Sequence, residues 1–370
     1  MSPSLKDIII VFKLGEVDVQ ALSDIIRQLK NLRTFVLTIE AADMPSGDGG
    51  NLSYEILQQV STLPQLRQFR VNDYPGARIA VTPALDAETN PRRLEFAYVE
   101  SLKLRVGRLE CVNGVLRDTF FPNVKDLILD YSSTDVEKFR DFPPLVQSSF
   151  SPETLQTLCL GPSGTPYDAE MVSSRAVVPA SLYAPLHDFH NLCEVRFETR
   201  LNLSISDVEL ESFGRAWPHL SSLVIMNNVE ELDLEEDTPM EKPTYRGIAS
   251  LVGLCPDLKT IHVAIREDFS DDMEEFLDSE DIPVSSHDVE LNFLYSPVIF
   301  LDTMALWVTK IFPRTVQVYH LVQYSEIVLS GVFDGTTGPY HISHLNSSRW
   351  DELQSLIDFY ALSPPPTPTA

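Results

Sequence analysis

Positive charge is scarce in this chain: 28 lysines and arginines stand against 54 aspartates and glutamates, a net charge of −26 over 370 residues. Nucleic-acid binding relies on basic side chains to displace counterions from phosphates, so the deficit argues against that role and against attraction to anionic membrane surfaces. Long apolar runs are missing too, since none reaches the roughly 18 uninterrupted residues of a membrane helix. The opening stretch, Met1 to Asp7, lacks the basic-then-apolar pattern of a secretory signal. Cysteine is sparse: Cys111, Cys159, Cys193 and Cys255 lie far apart with no CxxC pair, which predicts reduced, buried thiols in cytoplasm or nucleus.

Signatures of chemistry are equally thin. There is no GxSxG, HExxH, Walker loop or GxGxxG opening a helix. Gly161-Pro162-Ser163-Gly164 lacks the lysine and following helix of a phosphate loop and reads as a surface turn. The pairs His187/His190 and His341/His344 have no third ligand close by in sequence. The acidic run from Glu267 lacks the turn glycine of a calcium loop. These readings lead to no catalytic residue, no cofactor and no metal.

What the chain does have is a phrase that returns: an apolar residue, often a proline, a variable residue, then Leu-x-x-Leu-x-Leu or a relative. It reads Leu63-Pro64-Gln65-Leu66 before Phe69 and Val71, and Phe121-Pro122-Asn123-Val124 before Leu127 and Leu129. It returns at Trp217-Pro218-His219-Leu220 and Cys255-Pro256-Asp257-Leu258. Anchors fall at Leu5, Leu32, Leu66, Val99, Val124, Leu155, Leu192, Leu220 and Leu258, with spacings of 27, 34, 33, 25, 31, 37, 28 and 38 residues. Weaker echoes follow at Val289-x-Leu291-x-Phe293 and Val316-x-Val318. Proline stops a helix, and the alternating apolar residues after it favour a strand. Helical stripes precede several anchors, as at Val19/Leu22/Ile26/Leu29, Tyr54/Leu57/Val60, Val208/Phe213/Trp217 and Ile248/Leu251/Val252. A repeated strand–helix unit predicts an α/β leucine-rich-repeat solenoid, a horseshoe with a parallel concave sheet, outer helices and long irregular repeats. A closed α/β barrel or doubly wound sheet is the alternative.

One repeat domain is expected over 1–360, with about nine to eleven repeats and a Pro-rich tail over 361–370. Residues 41–51 read as a loop and 161–187 as an extended insertion. Residues 229–245 and 267–283 read as solvated acidic loops, with docking of a basic peptide as their functional alternative. Strand side chains alternate, so the residues between the buried positions look onto the concave side. The candidate protein-binding residues there are Arg70, Asn72, Lys103, Arg105, Asp126, Ile128, Asp130, Glu194, Arg196, Glu198, Ser222, Val224, Met226 and His262. Their mixture of charge and apolar surface fits a protein partner better than a nucleic-acid groove. An ordinary solvated sheet face is the plainer reading.

The stretch from about 205 to 315 resembles the leucine-rich-repeat portion of the large F-box protein families of mushroom-forming fungi. The matching residues are Ile205 to Leu210, Arg215 to Leu223, Gly247 to Leu258, and Ser296-Pro297-Val298 with Ala305 to Pro313. The resemblance implies a scaffold that holds the substrate of a cullin–RING ubiquitin ligase, docked on the ligase adaptor through an N-terminal F-box. No Leu-Pro-x-Glu-Ile opening of an F-box precedes Leu5, so the expectation is either an upstream part beyond this chain or a paralogue without ligase docking. An exposed first strand at Lys6 to Val11 favours the upstream part. A free-standing protein-interaction adaptor, a GTPase-activating horseshoe and an unrelated α/β enzyme complete the alternatives.

Overall fold

The computed structural model describes residues 5–13, 19–40, 54–73, 93–106, 109–131, 136–161, 177–198, 201–226, 240–266, 276–277, 279, 282–294, 296, 300–314, 316–319 and 351–361. The expected 41–51 loop, the Pro-rich tail from 362 and His341/His344 lie outside them, as do most of the acidic stretches 229–245 and 267–283. Contacts divide the chain into two compact units, the first mainly up to Thr165 and the second mainly from Leu201.

In the first unit the anchors open β1 (Asp7–Lys13), β2 (Thr34–Glu40), β3 (Gln68–Asp73), β5 (Ser101–Val106), β7 (Asp126–Tyr131) and β8 (Thr157–Leu160). These pair in parallel in that order, and the matching positions of each phrase face each other. Phe35 thus lies opposite Phe69, Phe69 opposite Leu102 and Leu102 opposite Leu127. A two-stranded accessory sheet, β4 (Leu94–Glu95) with β6 (Thr119–Phe120), joins them. The strand β10 (Glu194–Phe197) carries the phrase of anchor Leu192. In the second unit β12 (Ser222–Ile225), β13 (Thr260–His262), β14 (Val289–Asn292) and β15 (Val316–Tyr319) form a second parallel run. There β9 (Val177–Pro179) pairs with β11 (Asn202–Ser204).

The turn that gives the phrase its proline is a hydrogen-bonded one. Leu32 donates its N–H to Leu29 O at 3.0 Å, Val99 to Phe96 O at 3.3 Å, Leu192 to Phe189 O at 3.1 Å, Leu220 to Trp217 O at 3.0 Å and Leu258 to Cys255 O at 3.1 Å. The chain leaves this turn with its anchor and both inner strand residues under the sheet. From Leu32 to Leu258 the anchors and their inner pairs are at most 2% exposed. In the first unit, Phe35, Phe69, Phe96, Phe121 and Phe150 continue that buried layer as a file, with centroid separations of 6.0, 5.5, 4.8 and 5.3 Å. Each ring fills space that neighbouring repeats leave between strand and helix.

Helices α1 (Val19–Gln28), α2 (Tyr54–Ser61), α3 (Leu109–Asp118) and α4 (Val136–Ser149) belong to the first unit, and α5 (Asp207–Ala216), α6 (Tyr245–Leu254) and α7 (Leu301–Ile311) to the second. A last helix spans 351–361, burying Leu353 and Ile357, and so takes in Ala361, the first residue of the expected tail. The alternation of burial along β5, β7 and β8 leaves one sheet face without helices. A doubly wound sheet buries both faces. Half-exposed Ile8 and Ile10, with β2 as the partner of β1 among the described residues, mark an open edge where a barrel would close. The architecture is the α/β leucine-rich-repeat solenoid.

The extended insertion expected over 161–187 needs correcting at its C-terminal end. Ala180–Asp188 is a 3₁₀ helix, and Ala180, Tyr183, Leu186 and Phe189 are buried at intervals of three, the period of that helix. At its N-terminal end Gly161 has φ +143°, and a Cβ there would meet the backbone oxygen of Glu198 at 2.2 Å, so glycine alone fits. Gly247 is fixed by close approach instead, since a Cβ would lie 2.3 Å from Asp207 Oδ1. That carboxylate accepts the Thr244 N–H at 2.6 Å and its hydroxyl at 2.7 Å, tying the start of α5 to the start of α6. Arg93 ties the other helix ends. Its guanidinium donates to Arg117 O at 3.0 Å and Ser148 O at 2.6 Å, satisfying carbonyls at the ends of both α3 and α4.

Replacing an interior ring of the file, Phe121→Ala, will lower the stability of the fold by about 3–5 kcal/mol, because the file on either side cannot collapse onto the gap. Urea denaturation checks this, and Phe121→Leu will cost markedly less. Cys255 is buried beside Trp217 O at 3.5 Å, and burial pushes its thiol up to about 12. It therefore stays protonated at neutral and mildly alkaline pH. In a variant whose only cysteine is Cys255, a disulfide reagent will label it on unfolding and not in the native state.

Candidate functional site

The helix-free face of the first unit is ordered into rows by the strand register. One row runs Ile9, Val36, Arg70, Lys103, Ile128 and Cys159, each opposite the next on a neighbouring strand. A second runs Val11, Thr38, Asn72, Arg105 and Asp130. A third includes Gln68, Ser101, Asp126 and Thr157. The candidate residues Arg70, Lys103 and Ile128 are thereby brought side by side, as are Asn72, Arg105 and Asp130.

Their chemistry differs along the rows. Arg105 Nε lies 3.2 Å from Asp130 Oδ2, and that carboxylate is largely buried, so this pair is internal to the sheet. Asn72 donates to Thr38 Oγ1 at 3.3 Å. Arg70 reaches only Gln68 Oε1, at 3.4 Å. Lys103 has neither ion pair nor hydrogen bond among the described residues. Two neighbouring cations therefore face outward without an ion pair among the described residues, although like charges directly opposite each other repel. Arg196 sits 3.8 Å from Glu198 in the first unit, and Glu194 begins the same strand.

In the second unit Ser222 lies opposite Thr260, and Val224 opposite His262, which in turn faces Asn292. His262 Nε2 is 3.0 Å from Glu290 Oε1. Met226 follows β12, half-exposed. Val224 is only 2% exposed and offers no surface as it stands.

Several outward residues were not among the sequence candidates. Ile9 is 70% and Val11 54% exposed, on the row ends next to Val36 and Thr38. Strand parity was the available signal, since Ile8 and Ile10 are the inner pair. Lys6, Arg33, Arg67 and Lys125, each one residue after an anchor, stack along the strand starts through their main chains. Arg67 pairs with Glu100 at 2.7 Å, whereas Arg33 and Lys6 have no side-chain partner among the described residues.

Among the described residues no group of three or more His, Cys, Asp or Glu is placed to hold a metal. No described helix is long and apolar enough to cross a membrane. His187, on the 3₁₀ helix, is held below the usual imidazole value, chiefly by burial, with Asp188 opposing.

No protein-family model and no curated protein matches the chain. Among solved structures it is similar to an internalin of Listeria monocytogenes strain 4b F2365, at 10% identity and a TM-score of 0.26, over 90% of this chain and 88% of that one. A likeness of that size carries no weight, and the fold rests on the strand order, register and burial described above.

The contrast within the face predicts a contrast in mutants. Arg105→Ala removes the ion pair of a mostly buried carboxylate and will lower stability by about 1–2 kcal/mol. Arg70→Ala and Lys103→Ala will each stay within about 0.5 kcal/mol of the parent in the same denaturation experiment.

Proposed function

We propose that this chain is a protein-binding repeat scaffold of cytoplasm or nucleus, and that it serves as the substrate-recognition part of an F-box-type ubiquitin ligase receptor. The observation that supports a binding role is the difference between the two sheet faces. Under the helices the same apolar positions recur from strand to strand, while the outward row changes from Ile9 to Arg70 to Ile128. A repeat array uses the invariant side to hold its form and leaves the other side free to match a ligand. Exposed apolar side chains beside charged ones, on rigid strands, are the composition of a protein–protein contact surface.

The ligase role is the finer part of the reading and draws on the resemblance over 205–315. The residues that carry it are scaffold residues: Ser206 caps α5 in a capping box with Glu209, and Trp217, Leu220, Cys255 and Leu258 are core. They speak for kinship of the repeats and leave the partner to the outward positions. Affinity capture of the full-length gene product from its native cells tests the ligase role. Recovery of the cullin adaptor is the expected result. A full-length product that recovers its partners without the adaptor removes the ligase role and leaves a free-standing adaptor.

A further inference from the structure

The outward face of the first unit carries both signs of charge, Arg70, Lys103 and Arg105 beside Asp7, Asp126 and Asp130, in a chain whose net charge is −26. Arg70 and Lys103 sit opposite one another on β3 and β5, without a carboxylate partner among the described residues. The carboxylates diagonal to Lys103 on β7 are Asp126 and Asp130; Asp130 pairs with Arg105, and Asp126 makes no ion pair with Lys103. At the β1 end of the same row lie Ile9, 70% exposed, and Val36, which is buried at 8%. The row therefore reads apolar, apolar, cation, cation, apolar across five strands.

We propose that this row is the docking site of a short acidic peptide segment of a partner protein, lying across the strands with an apolar residue on Ile9 and carboxylates on Arg70 and Lys103. The proposal rests on the protein-binding reading above and names the partner's chemistry. Adjacent strands are about 4.8 Å apart, so five strands span about 19 Å, the length of roughly six extended residues. Carboxylates placed there relieve the repulsion between Arg70 and Lys103 and gain charge-assisted hydrogen bonds. A nucleic acid is the poorer match. Its phosphates would meet few cations, flanked by aliphatic surface, on a chain whose overall charge repels a polyanion.

The test uses the whole chain and fluorescence anisotropy of a labelled hexapeptide, Leu-Phe-Glu-Asp-Glu-Glu. Its counterpart with lysine for each acid, one with serine for Leu-Phe, and a single-stranded oligothymidine are the competitors. The acidic peptide will bind, more weakly as salt rises, and the Arg70→Glu/Lys103→Glu pair will weaken it by about tenfold or more. The serine version will bind less well than the parent peptide. Arg70→Gln/Lys103→Gln serves as a second variant should the charge reversal disturb folding, and it is expected to weaken binding in the same direction.

Equal binding by parent and both variants overturns the proposal, as does preference for the lysine peptide or for the oligonucleotide. Self-association in sedimentation, abolished by the same substitutions, would give the row to a second copy of the chain and also overturns it. The outcome is separable from the ligase reading. The peptide assay involves no adaptor, and adaptor recovery does not depend on Arg70 or Lys103.

Discussion

Everything in this chain depends on one shared main-chain acceptor at the start of each strand. The carbonyl one residue after an anchor takes two successive N–H groups from the next repeat. Lys6 O accepts from Arg33 and Thr34 at 2.6 and 3.0 Å, and Arg33 O from Arg67 and Gln68 at 2.8 and 2.9 Å. Arg67, Glu100 and Lys125 continue the ladder in the first unit, and Cys193 and Ser221 follow it in the second. The ladder involves only residues beside the anchor, so it is indifferent to how much chain separates two anchors. Repeats of 25 and 38 residues therefore stack with the same register, and loops absorb the difference at small entropic cost.

The second layer of constraint is what lies under the ladder. A parallel strand pair leaves a gap between sheet and helix that must be filled at solid density. In the first unit phenylalanines fill it in file. In the second, Trp307 is packed among Tyr245, Phe293 and Phe312 at 6.1–6.5 Å. Helix ends are then secured by polar groups outside the phrase. Arg93 joins the C-termini of α3 and α4, and Asp207 joins the starts of α5 and α6. These ties are long-range in sequence, which explains why they leave no local pattern.

That difference decides what could be read in advance. Anchors and inner strand residues from Leu32 to Leu258, and most of the stripes of α2, α5 and α6, follow from local periodicity and were legible. Val208, read into the α5 stripe, is 74% exposed, and the first anchor, Leu5, is exposed. α4 was not, because Pro143 and Pro144 sit inside it and read as a helix stop. The 3₁₀ helix was hidden by its period of three beneath a Gly/Pro-rich opening. Which outward residues lie side by side was legible from the anchor alignment, since register follows the phrase. Whether a given one is paired was not. Lys103 and Arg105 are two residues apart on one strand, yet only Arg105 meets a carboxylate. Pairing is set by side-chain reach across strands, which no single-strand pattern encodes.

The electrostatics of the outward face then separates two length scales. Beyond a Debye length of about 8 Å at physiological salt, a ligand meets an acidic protein. Within it, at the row from Ile9 to Lys103, a ligand meets two neighbouring cations that form no ion pair among the described residues. A large acidic partner spreads its charge over the first scale and is repelled before it docks. A short acidic segment on a neutral or basic body places its carboxylates inside the second scale and escapes most of that repulsion. The same arrangement thus favours a peptide-like contact over a broad acidic surface. Selectivity of this kind needs no additional pocket, only that Arg70 and Lys103 remain unpaired while Arg105 is not.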